Sequence, residues 1–292
     1  MSLKQKISIL SANYNNGEFL DDFFESINSQ TYKNFELVIV DDSSTDNSCE
    51  IIQSWCDKSF FDIKFIKLDI NHGFANALNI GLKHCDGDYI ARLDPDDTMS
   101  VTRLERQLKF LCDNPNIHIV GSNALYFQTS PISPVGHSNF LTNTEWIESK
   151  YRAAEYGMMH GTLLLRRAVF NNVSYFQDEV PAEDFALISR MIHAGYKTKN
   201  IKDILTNVRV HNGSVSNNLP LTTISKVFIL RRDIFGIDFT IYEMLSKYFH
   251  FHFYRKFLRS TGFLSRYFFL FLSGVFAPFK VFKIILSKIK AD

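Results

Sequence analysis

Four short apolar runs punctuate the first hundred residues, and a stretch with helical periodicity or loop formers follows each. Ile7 to Leu10 halts at Ser11, Ala12, Asn13, Tyr14, Asn15, Asn16 and Gly17, which reads as a strand ended by loop formers. Phe19, Phe23, Phe24 and Ile27 then recur at helical spacing. Phe35 to Val40 (FELVIV) is the second run. It ends in Asp41-Asp42-Ser43-Ser44 and precedes a helix from about Asp46 to Trp55. Ile63 to Leu68 leads through Asn71-His72-Gly73 to a helix reaching about His84. Asp88 to Leu93 leads to Asp94-Pro95-Asp96-Asp97, and Leu104, Leu108 and Leu111 mark the next helix. Such alternation predicts an α/β fold with an open, mixed, mainly parallel sheet flanked by helices. Ligands of these sheets bind outside the carboxyl ends of the strands. Asn13-Tyr14, Asp41-Asp42 and Asp94 to Asp97 follow three different strands, so parallel packing gathers three loops on one edge.

Further along, Ile117 to Tyr126 and Thr162 to Arg166 are strand-like, and Ala182 to Ala194 is a helix with Phe185, Ile188, Met191 and Ile192 on one side. Residues 128–143, polar and carrying Pro131, Pro134 and Gly136, are expected to be a loop. The four cysteines have no CxxC spacing, which argues against a disulfide framework or zinc site and for a reducing compartment. The apolar run near the N-terminus is too short for a signal peptide.

The stretch ARLDPDD sets three carboxylates within four positions at a strand end, where their mutual repulsion is costly. A hard divalent cation, Mg²⁺ or Mn²⁺, resolves it, because such ions take one or two carboxylates and complete their shell with water and phosphate oxygens. A solvated turn is the plainer alternative, since Asp and Pro are common turn formers. Asp41 and Asp42 could accept hydrogen bonds from a base or a ribose, or simply precede a helix capped by Ser44 or Asp46. Tyr14 could stack on a nucleobase or be an ordinary loop aromatic.

ISILSANYNNGEFLDDFFESINSQTYKNFELVIVDDSSTDNS resembles the N-terminal region of family 2 inverting glycosyltransferases, which have the GT-A fold. NHGFANALNIGLKHCDGDYIARLDPDD continues the match toward the family's DxD motif, AEDFALISRMIHAGY resembles its ED-containing helix, and VRVHNGSVS its closing motif. The resemblance spans about residues 5–217 and implies a catalytic domain over 1–217, with a nucleotide-sugar half over about 1–115 and an acceptor half over about 116–217. It implies that Ala12, Asn13, Tyr14, Asp41, Asp42, Gly73, Asn76, Arg92, Asp94, Pro95 and Asp96 bind a nucleotide-sugar, UDP being the expected nucleotide. Asp94 and Asp96 would hold the Mn²⁺ or Mg²⁺ with His211. Asp184 would be the catalytic base, and Glu183, Arg209 and His160 would contact acceptor or diphosphate. On residue type alone, Glu183 and Asp184 also fit acids placed at a helix N-terminus by the macrodipole. The departures, Ala12 where the family often has Pro and Ser43 where it often has Gly, touch loop detail.

Residues 218–292 are expected to form a helical, basic and aromatic region. Leu245 to Ala291 holds nine Lys/Arg and no acid, leaving 23 basic against 31 acidic residues elsewhere, and residues 245–290 hold 14 of the 42 aromatics. The uncharged run Tyr267 to Phe279 falls short of the roughly 20 residues a spanning helix needs. It therefore suits an interfacial anchor on an anionic membrane surface, at the cytoplasmic, inner face of the cell membrane, or helices packed on the catalytic domain. Two other functions share these features. Asp94-Pro95-Asp96-Asp97-Thr98 fits the DxDx[TV] signature of haloacid-dehalogenase-type phosphatases, without a convincing later Lys or acidic pair. A non-catalytic, membrane-associated scaffold would have no need for the acids. No GxGxxG follows any strand, which disfavours a dinucleotide oxidoreductase, and nothing indicates nucleic acid.

Overall fold

A computed structural model describes residues 5–211, 220–278 and 281, and the chain divides into two compact units, Met1–Ser214 and Val215–Asp292. The last residues of the VRVHNGSVS motif, 212–216, and the basic stretch 282–290 lie outside the described residues.

The first unit is built on a sheet of nine described strands. They are β1 (Ile7–Asn13), β2 (Phe35–Asp41), β3 (Asp62–Lys67), β4 (Tyr89–Arg92), β5 (Thr98–Met99), β6 (Ile119–Phe127), β7 (Pro134–His137), β8 (Leu164–Arg166) and β9 (Thr198–Arg209). The order is β3-β2-β1-β4-β8-β6-β9-β5, with β7 on β6. β3, β2, β1 and β4 pair in parallel, and β8 enters antiparallel between β4 and β6. The helices are α1 (Gly17–Asn28), α2 (Ser48–Lys58), α3 (Phe74–Leu82), α4 (Arg103–Asp113), α5 (Thr144–Arg152) and α6 (Glu183–His193). Alternation along the strands sorts the two faces. Ile7, Ile9, Leu37 and Ile39 share a core with Phe23, Phe24, Ile52, Trp55 and Leu108 from α1, α2 and α4. On the other face α3 comes so close that a Cβ on Gly81 would lie 2.5 Å from Leu10 Cδ1.

Two expectations need correction. β1 does not stop at Leu10: Ser11, Ala12 and Asn13 pair in register with Ile39, Val40 and Asp41, so backbone pairing overrides loop-forming side chains. Residues 128–143 are not all loop, because Pro134–His137 form β7 against β6. All four of its residues are exposed, and Pro at the start of an edge strand forgoes no ladder bond inside the sheet.

Glu36 is fully buried within FELVIV at the amino end of the sheet. Lys6 Nζ (2.5 Å) and Lys64 Nζ (3.1 Å) meet its Oε2, while Ser8 Oγ (2.6 Å) and Asp86 N (2.7 Å) donate to its Oε1. Burial alone would raise this carboxyl, but the four donors overcome it and hold it at about 2.

The second unit contains α7 (Leu221–Phe235), α8 (Ile241–Arg259) and α9 (Phe263–Phe276). Gly236 closes α7 at φ +67°, a left-handed cap, and Thr240 Oγ1 caps α8 by accepting from Glu243 N at 3.1 Å. α8 and α9 pack through Phe257 and Leu270, and Ser273 Oγ lies 2.8 Å from His250 Nδ1. Among the described residues no helix is long and apolar enough to cross a membrane.

Glu36→Gln is expected to lower stability at neutral pH by about 1–2 kcal/mol, since both lysines keep some contact with water. The depressed carboxyl stabilises the fold above its unfolded value near 4.5 and loses that contribution as pH falls toward 2. Urea unfolding of both proteins across acid pH should therefore show the gap closing.

Candidate active site

Register places the first cluster. Asn13 ends β1 directly opposite Asp41 at the end of β2. Asn13 Nδ2 donates to Asp41 Oδ2 at 2.7 Å, as does Ser44 Oγ at 2.7 Å, while Ser44 N (2.8 Å) and Cys49 Sγ (3.4 Å) donate to Oδ1. Asp41 is completely buried and its carboxylate is saturated by protein donors. Asn13 Oδ1, also buried, has no partner among the described residues. Asp42 works differently: its two oxygens accept His72 N (2.7 Å) and Gly73 N (2.8 Å), pinning the turn before α3. Gly73 sits at φ +85°, and a Cβ there would be 2.3 Å from Gln177 Nε2, so only glycine fits. Gln177 Oε1 accepts Ala75 N (3.1 Å) and Asn76 N (3.4 Å), satisfying two orphan amides of α3, and Asn76 Nδ2 turns back to His72 O. Tyr14 is half exposed beside this edge, and Ala12 is buried within β1.

The second cluster lies one strand over, at the end of β4, and topology supplies its cations. β5 follows Asp97 immediately and pairs antiparallel with the end of β9, Thr98 opposite Asn207. That pairing carries Arg209 and His211 across more than a hundred residues to the acidic turn. Arg209 N donates to Asp97 Oδ1 at 2.9 Å and Arg209 Nε to Asp96 O at 3.1 Å, while His211 Nε2 lies 3.1 Å from Asp96 Oδ2. The Arg209 guanidinium also pairs with Asp22 at 2.6 Å and packs over the rings of Phe19 and Phe127. From below, the buried Arg92 pairs with Asp94 Oδ1 and donates to the carbonyls of Leu10 and Leu93. Arg103, fully buried, holds Arg92 O at 2.7 Å; burial first, then the Arg92 charge, lowers its guanidinium to about 9. Burial, and then the neighbouring carboxylates, raise Asp96 and push Asp97 well above the usual range.

Because β8 runs antiparallel to β4, the turn His160–Thr162 arrives at the same edge. A Cβ on Gly161 would lie 3.1 Å from Asp94 Oδ2. His160 Nε2 is 2.6 Å from Tyr175 Oη, and burial, helped by the Arg92 charge, keeps its imidazole neutral. Asp184 stands in the first turn of α6. Its Oδ1 accepts Phe185 N (2.6 Å) and Tyr156 Oη (3.3 Å), and Oδ2 has no bond among the described residues. Burial raises Asp184 to about 6, Asp94 adding to the effect; burial and then the Asp184 charge raise Glu183 to about 8. Glu183 Oε2 is buried without a partner among the described residues.

The structure thus joins Asn13 with Asp41, Asp42 with Gly73, Arg92 with Asp94, and Asp96 with Arg209 and His211. Pro95 is buried in the acidic turn. Asp22, Arg103, Tyr156, Tyr175 and Gln177 escape sequence reasoning, because only tertiary packing of helices and loops brings them to the site. Among the described residues no group of three or more His, Cys, Asp and Glu is ready-made as a metal site. The donor chemistry nonetheless fits a hard divalent ion: Asp96 and Asp94 are oxygen donors made costly by crowding, with His211 beside them.

The model for "Glycosyl transferase family 2" matches residues 8–173. The UDP-Glc:alpha-D-GlcNAc-diphosphoundecaprenol beta-1,3-glucosyltransferase WfaP of Escherichia coli is 32% identical over 223 residues, 73% of this chain and 80% of that protein. TarS 1–349 of S. aureus superposes with TM-score 0.66 at 18% identity, covering 94% of this chain and 82% of that one. The mannosyltransferase PcManGT of Pyrobaculum calidifontis, solved with GDP-Man and Mn²⁺, superposes with TM-score 0.62 at 13% identity, covering 99% and 81%.

Arg92→Met should destabilise the protein by about 2–3 kcal/mol at pH 7, because it takes the cation from half-buried Asp94 and the donor from the Leu10 and Leu93 carbonyls. Asp96 and Asp97 already lie high, so protonation relieves part of that cost. The urea midpoints of variant and parent should converge as pH falls below neutrality, through the raised range of Asp96 and Asp97.

Proposed function

The chain belongs to glycosyl transferase family 2, and from that premise we propose a metal-dependent inverting transfer of a hexose from a UDP-sugar to a hydroxyl of a lipid-linked glycan. The GT-A fold supplies the frame, with residues 1–115 serving the nucleotide-sugar and 116–217 the acceptor. The observation that carries this reading is the contrast between two acidic clusters. Asp94, Asp96 and Asp97 are surrounded by Arg92, Arg209 and His211, whereas Asp184 keeps one oxygen unbonded and is raised to about 6 with no cation bonded to it. The first suits a diphosphate and its metal; the second suits a proton acceptor.

In the proposed reaction the acceptor hydroxyl attacks the anomeric carbon as the bond to the diphosphate oxygen breaks, inverting that centre. The hydroxyl proton passes to Asp184 Oδ2, while Tyr156 and Phe185 N hold Oδ1 in place. Asp96, Asp94 and His211 would hold the Mn²⁺ or Mg²⁺, which when bound neutralises charge on the departing nucleoside diphosphate. Arg209 and Arg92 fix the acidic turn. Asn13, with its unpartnered Oδ1, and Asp41 form the floor for the base. A base N–H reaching Asp41 would replace one of the donors already there. Tyr14, half exposed after β1, would stack on the base, and Ala12 would line the same edge. The UDP preference draws support from WfaP, named for UDP-Glc and a diphosphoundecaprenol-linked acceptor. That name also supports a lipid-linked acceptor, reached at the inner face of the cell membrane. The phosphatase alternative loses ground because Asp94, its would-be nucleophile, is paired with Arg92.

Calorimetry should show UDP binding strengthened by Mn²⁺, with GDP and dTDP weaker. Absence of all nucleotide binding by folded protein would overturn the transferase reading. Asp184→Asn should cut kcat by roughly 10²- to 10⁴-fold while leaving UDP affinity intact. A scaffold would keep its function after that change. Turnover of the parent enzyme should rise with pH through about 6, since the base acts only when ionised. A flat profile from pH 5 to 8, roughly the histidine range, would remove Asp184 from that role.

A further inference from the structure

α9 presents an apolar face that no described part of the chain covers. Phe263 (73% exposed), Leu264 (85%), Tyr267, Phe268, Phe271 (68%) and Val275 are all exposed. At 3.6 residues per turn these six fall within an arc of about 140°. Leu270, at the edge of this arc, and Ser273, beyond it, pack on Phe257 and His250 of α8 instead. Monomeric proteins seldom expose so contiguous an apolar surface without a use for it. With 14 residues, α9 spans about 21 Å and cannot cross a hydrocarbon core of about 30 Å, so it can only lie along one.

Charge selects the occupant. Between residues 245 and 291 the chain has nine Lys/Arg and no acid. Lys256 is packed over Phe269 and Arg266 over Phe257, so two of these cations are held at the α8–α9 seam. A second copy of this chain would bring an equal positive charge against the same face and be repelled. A bilayer leaflet with anionic headgroups meets both demands, taking the aromatics at the acyl boundary and the cations at the phosphates.

We propose that the Phe263–Val275 face of α9, with Lys256 and Arg266 of the α8–α9 seam adding positive charge, docks the protein onto an anionic membrane surface. The assignment rests on the proposed lipid-linked acceptor for its purpose, and on the exposed face and its charge for its evidence.

The full chain should float with vesicles of phosphatidylcholine and phosphatidylglycerol and bind pure phosphatidylcholine vesicles at least about tenfold more weakly, as loss of a few cation–lipid contacts requires. Phe268→Asp with Phe271→Asp should abolish flotation. Both positions are exposed, so the thermal midpoint and UDP binding should not change. Lack of flotation by the parent chain overturns the proposal, as does full flotation of the double variant. Sedimentation showing a dimer that the double variant dissolves, without vesicle binding, would assign the face to self-association instead. Flotation is measured without nucleotide. Loss of UDP binding with flotation retained would therefore sink the transferase reading alone.

Discussion

Three carboxylates within four residues can stay folded together only if cations meet them, and the sheet is arranged so that they do. Arg92 is part of β4 itself and reaches Asp94 from beneath. Arg209 and His211 come from the far end of β9 and are delivered by the two-residue strand β5. The shortest strand in the sheet thus fixes the electrostatics of its most charged turn. Had Thr98 and Met99 not paired with β9, Asp96 and Asp97 would face each other without compensation. The backbone amide of Arg209 on Asp97 shows how tightly the two ends are coupled: position and charge arrive in one residue.

The same logic explains what could be read from residues in order and what could not. The parallel half, β1 to β4 with its helices, is legible because β1, β2 and β4 are mainly apolar and buried along their length and each helix repeats at its own period. The loops at Asn13, Asp41 and Asp94 follow from that. β5 is too short to show any period. β7 looks like loop because its Pro134 and Gly136 are tolerated at an exposed edge. β9 mixes Lys, Asn and Asp with its apolar residues and is exposed in part, so alternation is weak. Asp22 sits within α1 with nothing in its neighbours to distinguish it from a solvated helix acid, yet it pairs with Arg209.

The acidic pair Asp41 and Asp42 shows a second limit of residue-level inference. Adjacent carboxylates at a strand end suggest two ligand contacts. Their backbone alternation sends them to different tasks instead. Asp41 points toward Asn13 and Ser44 and closes a buried hydrogen-bond cluster, and Asp42 points to the amides of His72 and Gly73 and shapes the entry to α3. Both serve architecture in this structure. Any contact with a base draws on a cluster whose geometry is already set, which is the condition for a pre-organised site.

Burial raises the carboxyls in both halves of the cleft, but the company they keep differs. Asp96 and Asp97 are raised first by burial and then by the neighbouring carboxylates, and are answered by arginine and histidine. Asp184 is raised by burial and then by Asp94, Glu183 by burial and then by Asp184, and the hydrogen bonds to Asp184 come from a tyrosine and an amide rather than a cation. A single kind of side chain therefore meets two different surroundings, which is the basis for proposing one for binding a charged group and one for taking a proton. The proposed in-line displacement needs the two at opposite ends of the breaking and forming bonds. Separate elements, β4 and α6, are the simplest way for one chain to hold them apart.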